Sequence, residues 1–213
     1  MRRLSVFNSV SIDGYFTDAN SSIEWAHKNA NDPEWQKFVA GNARGESVML
    51  FGRKTYEMMK GHWPTEQAKK AMPDVAKSMN ESQKIVFSRS MQSSDWENTS
   101  IVHDDPAEAI RQLKAEPGLD MIIFGSGSII SQLAPTGLID RYTLVVIPVA
   151  LGKGRTMFEG STPIELRPTS TRSFKNGNIV TVYVPASAKQ EKREPQRAQR
   201  TRRKTHKSKT TKR

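Results

Sequence analysis

The chain has 213 residues, 33 Lys and Arg against 22 Asp and Glu, a formal net charge of +11 and no cysteine. That length suffices for one domain with its own core, and the lack of cysteine excludes disulfides, thiol nucleophiles and thiolate zinc sites while suiting a reducing cytoplasm. No apolar run reaches the ~20 residues of a membrane span, no signal-peptide core opens the chain, and the four scattered histidines (His27, His62, His103, His206) suggest no metal site.

Taken in chain order, "RRLSVFNS" (2–9) predicts an opening strand, followed by a loop rich in Ser, Asp, Asn and Gly to about residue 23. "DPEWQKFVAG" (32–41) reads as a helix with an Asp cap, Pro in its first turn and Gly after it. "SVMLF" (47–51) is a short apolar strand, "KTYEMMK" (54–60) starts a helix, and residues 66–79 form another. "KIVFS" (84–88) and a weaker stretch at 99–102 predict strands, and "DPAEAIRQL" (105–113) opens a helix to about 116. "MIIF" (121–124) is a third apolar strand, "SGSIISQLA" (126–134) a helix entered through glycine, and "RYTLVVIPVA" (141–150) a long strand. Residues 164–173 and 178–184 form a hairpin turning at "KNGN". Short apolar strands separated by helices imply α/β architecture with a mostly parallel sheet buried on both faces and antiparallel strands at one edge.

The charge is unevenly placed. The 12 Lys and Arg of residues 189–213 outnumber two acids, Glu191 and Glu194, by 10, which leaves +1 for residues 1–188. This tail holds no large apolar residue, so disorder is expected over 188–213 beside a domain spanning 1–187. Such a tail suits non-specific binding to nucleic-acid phosphates.

Three strand–helix junctions carry the chemistry. In "VMLFGRKTYE" an apolar run stops at Gly52, and Arg53, Lys54 and Thr55 follow. A helix start offers unpaired N–H groups and a positive dipole end, and glycine lets a phosphate come close. In "IVFSRS", Ser88 and Arg89 follow a strand, and a guanidinium flanked by hydroxyls suits a terminal phosphate monoester. In "IIFGSGSIISQL", Gly125, Ser126, Gly127 and Ser128 form a phosphate-cradling turn. Each alone also reads as an ordinary polar turn. Three together suggest a dinucleotide.

The ordered set "NSVSIDGYF", "GRKTYE", "VFSRS", "IIFGSGS" and "DRYTLVVIPVALGKGRTMF" resembles the dihydrofolate reductase-like superfamily over residues 2–184, and "SIDG" and "PVALGKG" draw the resemblance to the riboflavin-biosynthesis reductase (RibD C-terminal) branch. The resemblance implies a three-layer fold, a soluble homodimer, NADPH as cofactor, and a pterin, pyrimidine or related heterocycle as substrate. It implies that Gly52, Arg53, Lys54 and Thr55 hold cofactor phosphates, that Ser88 and Arg89 take the 2′-phosphate, and that Gly125 to Ser128 line the pyrophosphate. Asn8, Trp25 and Tyr56 would face the substrate. For the acid, the D-x-x-x-F spacing of dihydrofolate reductases puts Glu34 before Phe38, with Asp32 and Asp13 as rivals. Glu34 in a first helical turn also reads as a dipole partner, Asp32 as a cap, and aromatics such as Trp25 as packing. A true dihydrofolate reductase, a nucleic-acid-associated protein and a nucleotide-binding domain without catalysis stay open.

Overall fold

The computed structural model describes residues 1–27, 32–43 and 47–188. The basic tail from Lys189 onward therefore lies outside the described residues.

Among the described residues, ten strands and six α-helices follow one another in the order β1 Leu4–Ser11, β2 Tyr15–Asp18, α1 Pro33–Ala43, β3 Val48–Gly52, α2 Arg53–His62, α3 Glu66–Ala71, α4 Pro73–Glu81, β4 Lys84–Phe87, β5 Thr99–Val102, α5 Pro106–Ala115, β6 Met121–Phe124, α6 Gly127–Leu133, β7 Arg141–Ile147, β8 Gly154–Thr156, β9 Leu166–Ser173 and β10 Ile179–Pro185. Eight strands form one sheet in the order β5-β4-β3-β6-β1-β7-β10-β9. The first six are parallel, and β10 runs antiparallel to both β7 and β9. The expected mostly parallel sheet with an antiparallel C-terminal hairpin is thus present. Its turn closes through the Phe174 and Gly177 N–H groups, with Gly177 at φ +87°.

Strand alternation sorts the core into layers. Val48 and Leu50 of β3 face Ile110 of α5 and Ile129, Ile130 and Leu133 of α6. Met49 and Phe51 face the other way, against Tyr56 of α2 and Val75 and Met79 of α4. Further along that second face, Trp35 and Phe38 of α1 meet Phe174 at ring-centroid distances of 5.1 Å each. The stretch read as one helix over 66–79 is two, because Pro73 cannot continue α3 and instead starts α4 in its first turn.

Two strands went unrecognised in the sequence. β2 and β8 pair antiparallel as a separate ribbon beside the carboxyl ends of the sheet. Its anchor is Asp13. This carboxylate accepts the Ser11 hydroxyl at 2.5 Å and the Leu151 and Gly152 N–H groups at 3.0 and 2.7 Å. Those bonds, the Ser11 hydroxyl first, lower its pKa from 3.8 to about 2.

Candidate active site

The sheet order places β3, β6 and β1 side by side, so the turns leaving their carboxyl ends meet. Between them lies a cavity of about 490 Å³, which gathers Asn8 from β1, Gly52 to Thr55 at the start of α2, Ser88 after β4, and Gly125 to Ser128 at the start of α6. The three junctions read in the sequence therefore share one cleft.

Local bonds join two of them. The Gly52 N–H donates to Ser126 Oγ at 2.8 Å, and the Ser126 N–H donates to Thr55 Oγ1 at 3.2 Å. Ser126 holds the left-handed conformation at φ 55°, which turns the chain into α6. Gly52 caps α2 without a side chain, so the first-turn N–H groups of a ten-residue helix have no side-chain partner there. A Cβ on Gly52 would meet Ser126, Ser128 and Ile129 at 3.4–3.7 Å, so the backbone there lies close against the second turn. Such a glycine-lined cradle beside Arg53 and Lys54 fits the phosphates of a dinucleotide.

Arg89 lies next door. It lines an adjoining cavity of about 300 Å³ with Ser88, His103, Asp104 and Gln132. The two cavities share Phe87, Ser88 and Ser128. His103 Nδ1 bonds the Ser88 carbonyl at 2.7 Å and steadies that turn.

Five residues named for the site lie outside both cavities. Tyr56 is 1% exposed. Three positions on from Arg53, it faces the sheet, packs on Trp96, and bonds Ser94 through its hydroxyl. Trp25 is buried with Val145, Ile147 and Trp35, its indole N–H on the Ser22 carbonyl at 3.2 Å. Its neighbours Ile23, Ala26 and His27 line the cleft instead. Glu34 points toward the hairpin and pairs with Arg172 of β9 at 2.8 Å. Asp32, its rival, caps α1 by accepting the Glu34 and Trp35 N–H groups. Asp13 is engaged in the ribbon anchor already described. No Asp or Glu among the described residues lines the main cleft.

Sequence reasoning missed Phe16, Thr17, Met58 and Arg155, which do line it. Phe16 lies so close over Gly127 that a Cβ there would come within 2.5 Å of its ring. Phe7, Phe16, Phe124, Met58 and Met59 make the rest of the wall largely apolar and suit a flat ring.

Residues 2–180 match the RibD C-terminal domain family. The chain belongs to that family. Its sequence is 28% identical to the uncharacterized protein YyaP of Bacillus subtilis over 184 residues, covering 85% of this chain and 94% of YyaP. Its structure resembles that of a Shewanella sp. PV-4 protein described under riboflavin biosynthesis, with a TM-score of 0.65, 21% identity, and coverage of 86% of this chain and 98% of that one. It also resembles a Thermotoga maritima diaminohydroxyphosphoribosylaminopyrimidine deaminase/5-amino-6-(5-phosphoribosylamino)uracil reductase, with a TM-score of 0.62 and 16% identity over 86% of this chain and 56% of that one. The RibD C-terminal fold of this chain is the three-layer, dihydrofolate reductase-like arrangement expected from its motifs.

Proposed function

We propose that this RibD-type domain is an NADPH-dependent reductase of a pyrimidine, pterin or related heterocycle. One observation carries the reading: three phosphate-suited turns converge on a single cleft whose remaining wall is apolar and aromatic. Gly52 to Thr55 and Gly125 to Ser128 hold the coenzyme's phosphates. Ser88 and Arg89, in the adjoining cavity, take the 2′-phosphate. The bound coenzyme supplies the hydride. The protein aligns the two rings between Phe7, Phe16, Phe124 and the methionines, and Asn8 meets the substrate from the end of β1. With no described carboxylate on the cleft wall, the proton arrives through solvent rather than from Glu34 or Asp13. That arrangement favours the pyrimidine-type reading over a true dihydrofolate reductase. A homodimer working in the cytoplasm accompanies this reading by family analogy.

The test is a thermal-shift comparison of NADPH with NADH. A ligand that prefers the native state raises the melting temperature, and NADPH raises it further than NADH. Arg89→Ala removes most of that difference by weakening NADPH about tenfold or more, since charge-assisted bonds contribute about 1.5–3 kcal/mol. Equal shifts in the wild type overturn the coenzyme assignment. NADPH oxidation, followed with a pyrimidinone ribosylamine and with dihydrofolate, then separates the two reductase readings.

A further inference from the structure

We propose that Met58 is an oxidation site that switches this cleft: a peroxide converts its thioether to the sulfoxide, and the polar group then weakens the hold on the coenzyme. The inference rests on the reading that the cleft binds NADPH.

The chain has nine methionines and no cysteine, so thioethers are its only sulfur open to a peroxide. The fold shields most of them. Met49, Met79, Met121 and Met157 are at most 4% exposed. Met59, Met72 and Met91 are partly buried against the layer that packs on Phe51 and Tyr56. Met59 is held further by the Trp63 indole N–H, which donates to its sulfur at 3.2 Å. Two exposed methionines are left, Met1 at the chain start and Met58, which is 39% exposed. Of these two, Met58 alone lines the main cavity.

Helical spacing sets Met58 there. It follows Lys54 by four residues, as Met59 follows Thr55, so both methionines stand one turn beyond the phosphate-suited start of α2 and on its face. All four line the cleft, whereas Tyr56 between them faces the sheet. Met58 therefore continues the cation-bearing edge of the cleft as apolar wall. A sulfoxide changes that wall, because its oxygen is a strong acceptor. Turned into the wall, it is costly to bury without a donor. Turned back toward Lys54, it engages a cation that the coenzyme phosphates need. Both outcomes weaken binding.

The step is an oxygen transfer with two electrons. The peroxide O–O bond breaks, an S–O bond forms at Met58, and the peroxide departs as water or an alcohol. Methionine sulfoxide reductases reverse it, so the change is a switch rather than a loss.

The experiment treats the full chain with hydrogen peroxide, locates the added oxygen by peptide mass spectrometry, and titrates NADPH once the peroxide is removed. Met1 serves as the internal control, being exposed and away from the cleft. Met58 gains oxygen alongside Met1 and ahead of the remaining methionines. Saturating NADPH slows the reaction at Met58 and not at Met1. The oxidised protein binds NADPH about fivefold or more weakly, as a buried polar group on an apolar wall requires. Methionine sulfoxide reductases for both epimers restore the affinity. Met58→Leu, whatever its own affinity, keeps that affinity after the same treatment. The proposal is overturned if oxidised wild type binds NADPH as before, if Met58→Leu loses as much as the wild type, or if NADPH leaves Met58 unprotected. Untreated protein that binds no NADPH overturns the coenzyme reading and this one with it, whereas binding that oxidation does not alter overturns this one alone.

Discussion

At the scale of single residues, position on an element decides what a side chain can do. Glu34 has the spacing of a catalytic acid, yet its helix turns it toward β9 and Arg172. Glu34→Gln therefore keeps turnover within about twofold, and the exposed pair contributes at most about 1 kcal/mol to stability. A steady-state assay and a urea titration check both numbers. Lys84 shows the opposite case. It opens an apolar strand and is only 1% exposed. Its ammonium donates to the Asn80, Ser82 and Glu97 carbonyls at 2.7–3.0 Å and lies 4.6 Å from the Trp96 ring centre. Lys84→Met leaves those carbonyls short of a donor and costs about 1–3 kcal/mol at pH 7. Burial lowers the Lys84 pKa from 10.5 to about 8. Between those two values the unfolded chain binds more protons, so stability rises with pH. The wild type gains on Lys84→Met as pH rises from about 8 toward 10.5, and below 8 the gap is constant. Urea midpoints across that range test the sign.

At the scale of elements, the junction glycines were legible as a set, because three polar, glycine-marked or cationic turns after apolar strands are harder to read as ordinary turns than any one of them. Gly52 and the Gly125–Ser128 turn carry that signal in four or five consecutive letters. The β2–β8 ribbon was not legible. Its strands are four and three residues long, too short for a periodic pattern. What fixes them is distant: the Asp13 carboxylate grips N–H groups almost 140 residues away. Tyr56 and Trp25 escaped for a related reason, since sequence shows that an aromatic is present but not which side of its helix meets the sheet. The ribbon also has a point of failure. A Cβ on Gly154 would lie 2.0 Å from the Thr17 carbonyl oxygen, which is backbone and has little room to shift. Gly154→Ala consequently forces the two strands apart, at about 1–3 kcal/mol. It weakens substrate capture more than coenzyme binding, because Phe16, Thr17 and Arg155 ride on the ribbon and Gly52 does not. Separate titrations of NADPH and 5,6-diaminouracil show the split.

At the scale of the whole molecule, the near-neutral first 188 residues and the +10 that follows invite separate tests. Removal of residues 189–213 leaves melting temperature and NADPH affinity unchanged, and it abolishes retention on a nucleic-acid column at physiological salt. Retention that survives the deletion assigns the binding to the domain. The order of the sheet has a consequence of its own for how the chain is made. β1 sits in the middle of the sheet, yet its two neighbours are residues 121–124 and 141–147. At roughly 5–20 residues per second, the ribosome needs on the order of ten seconds to deliver them after the first strand has emerged. Throughout that interval Leu4, Val6 and Val10 have neither sheet partner, so both edges of the first strand stay open until residues 121–147 have been made.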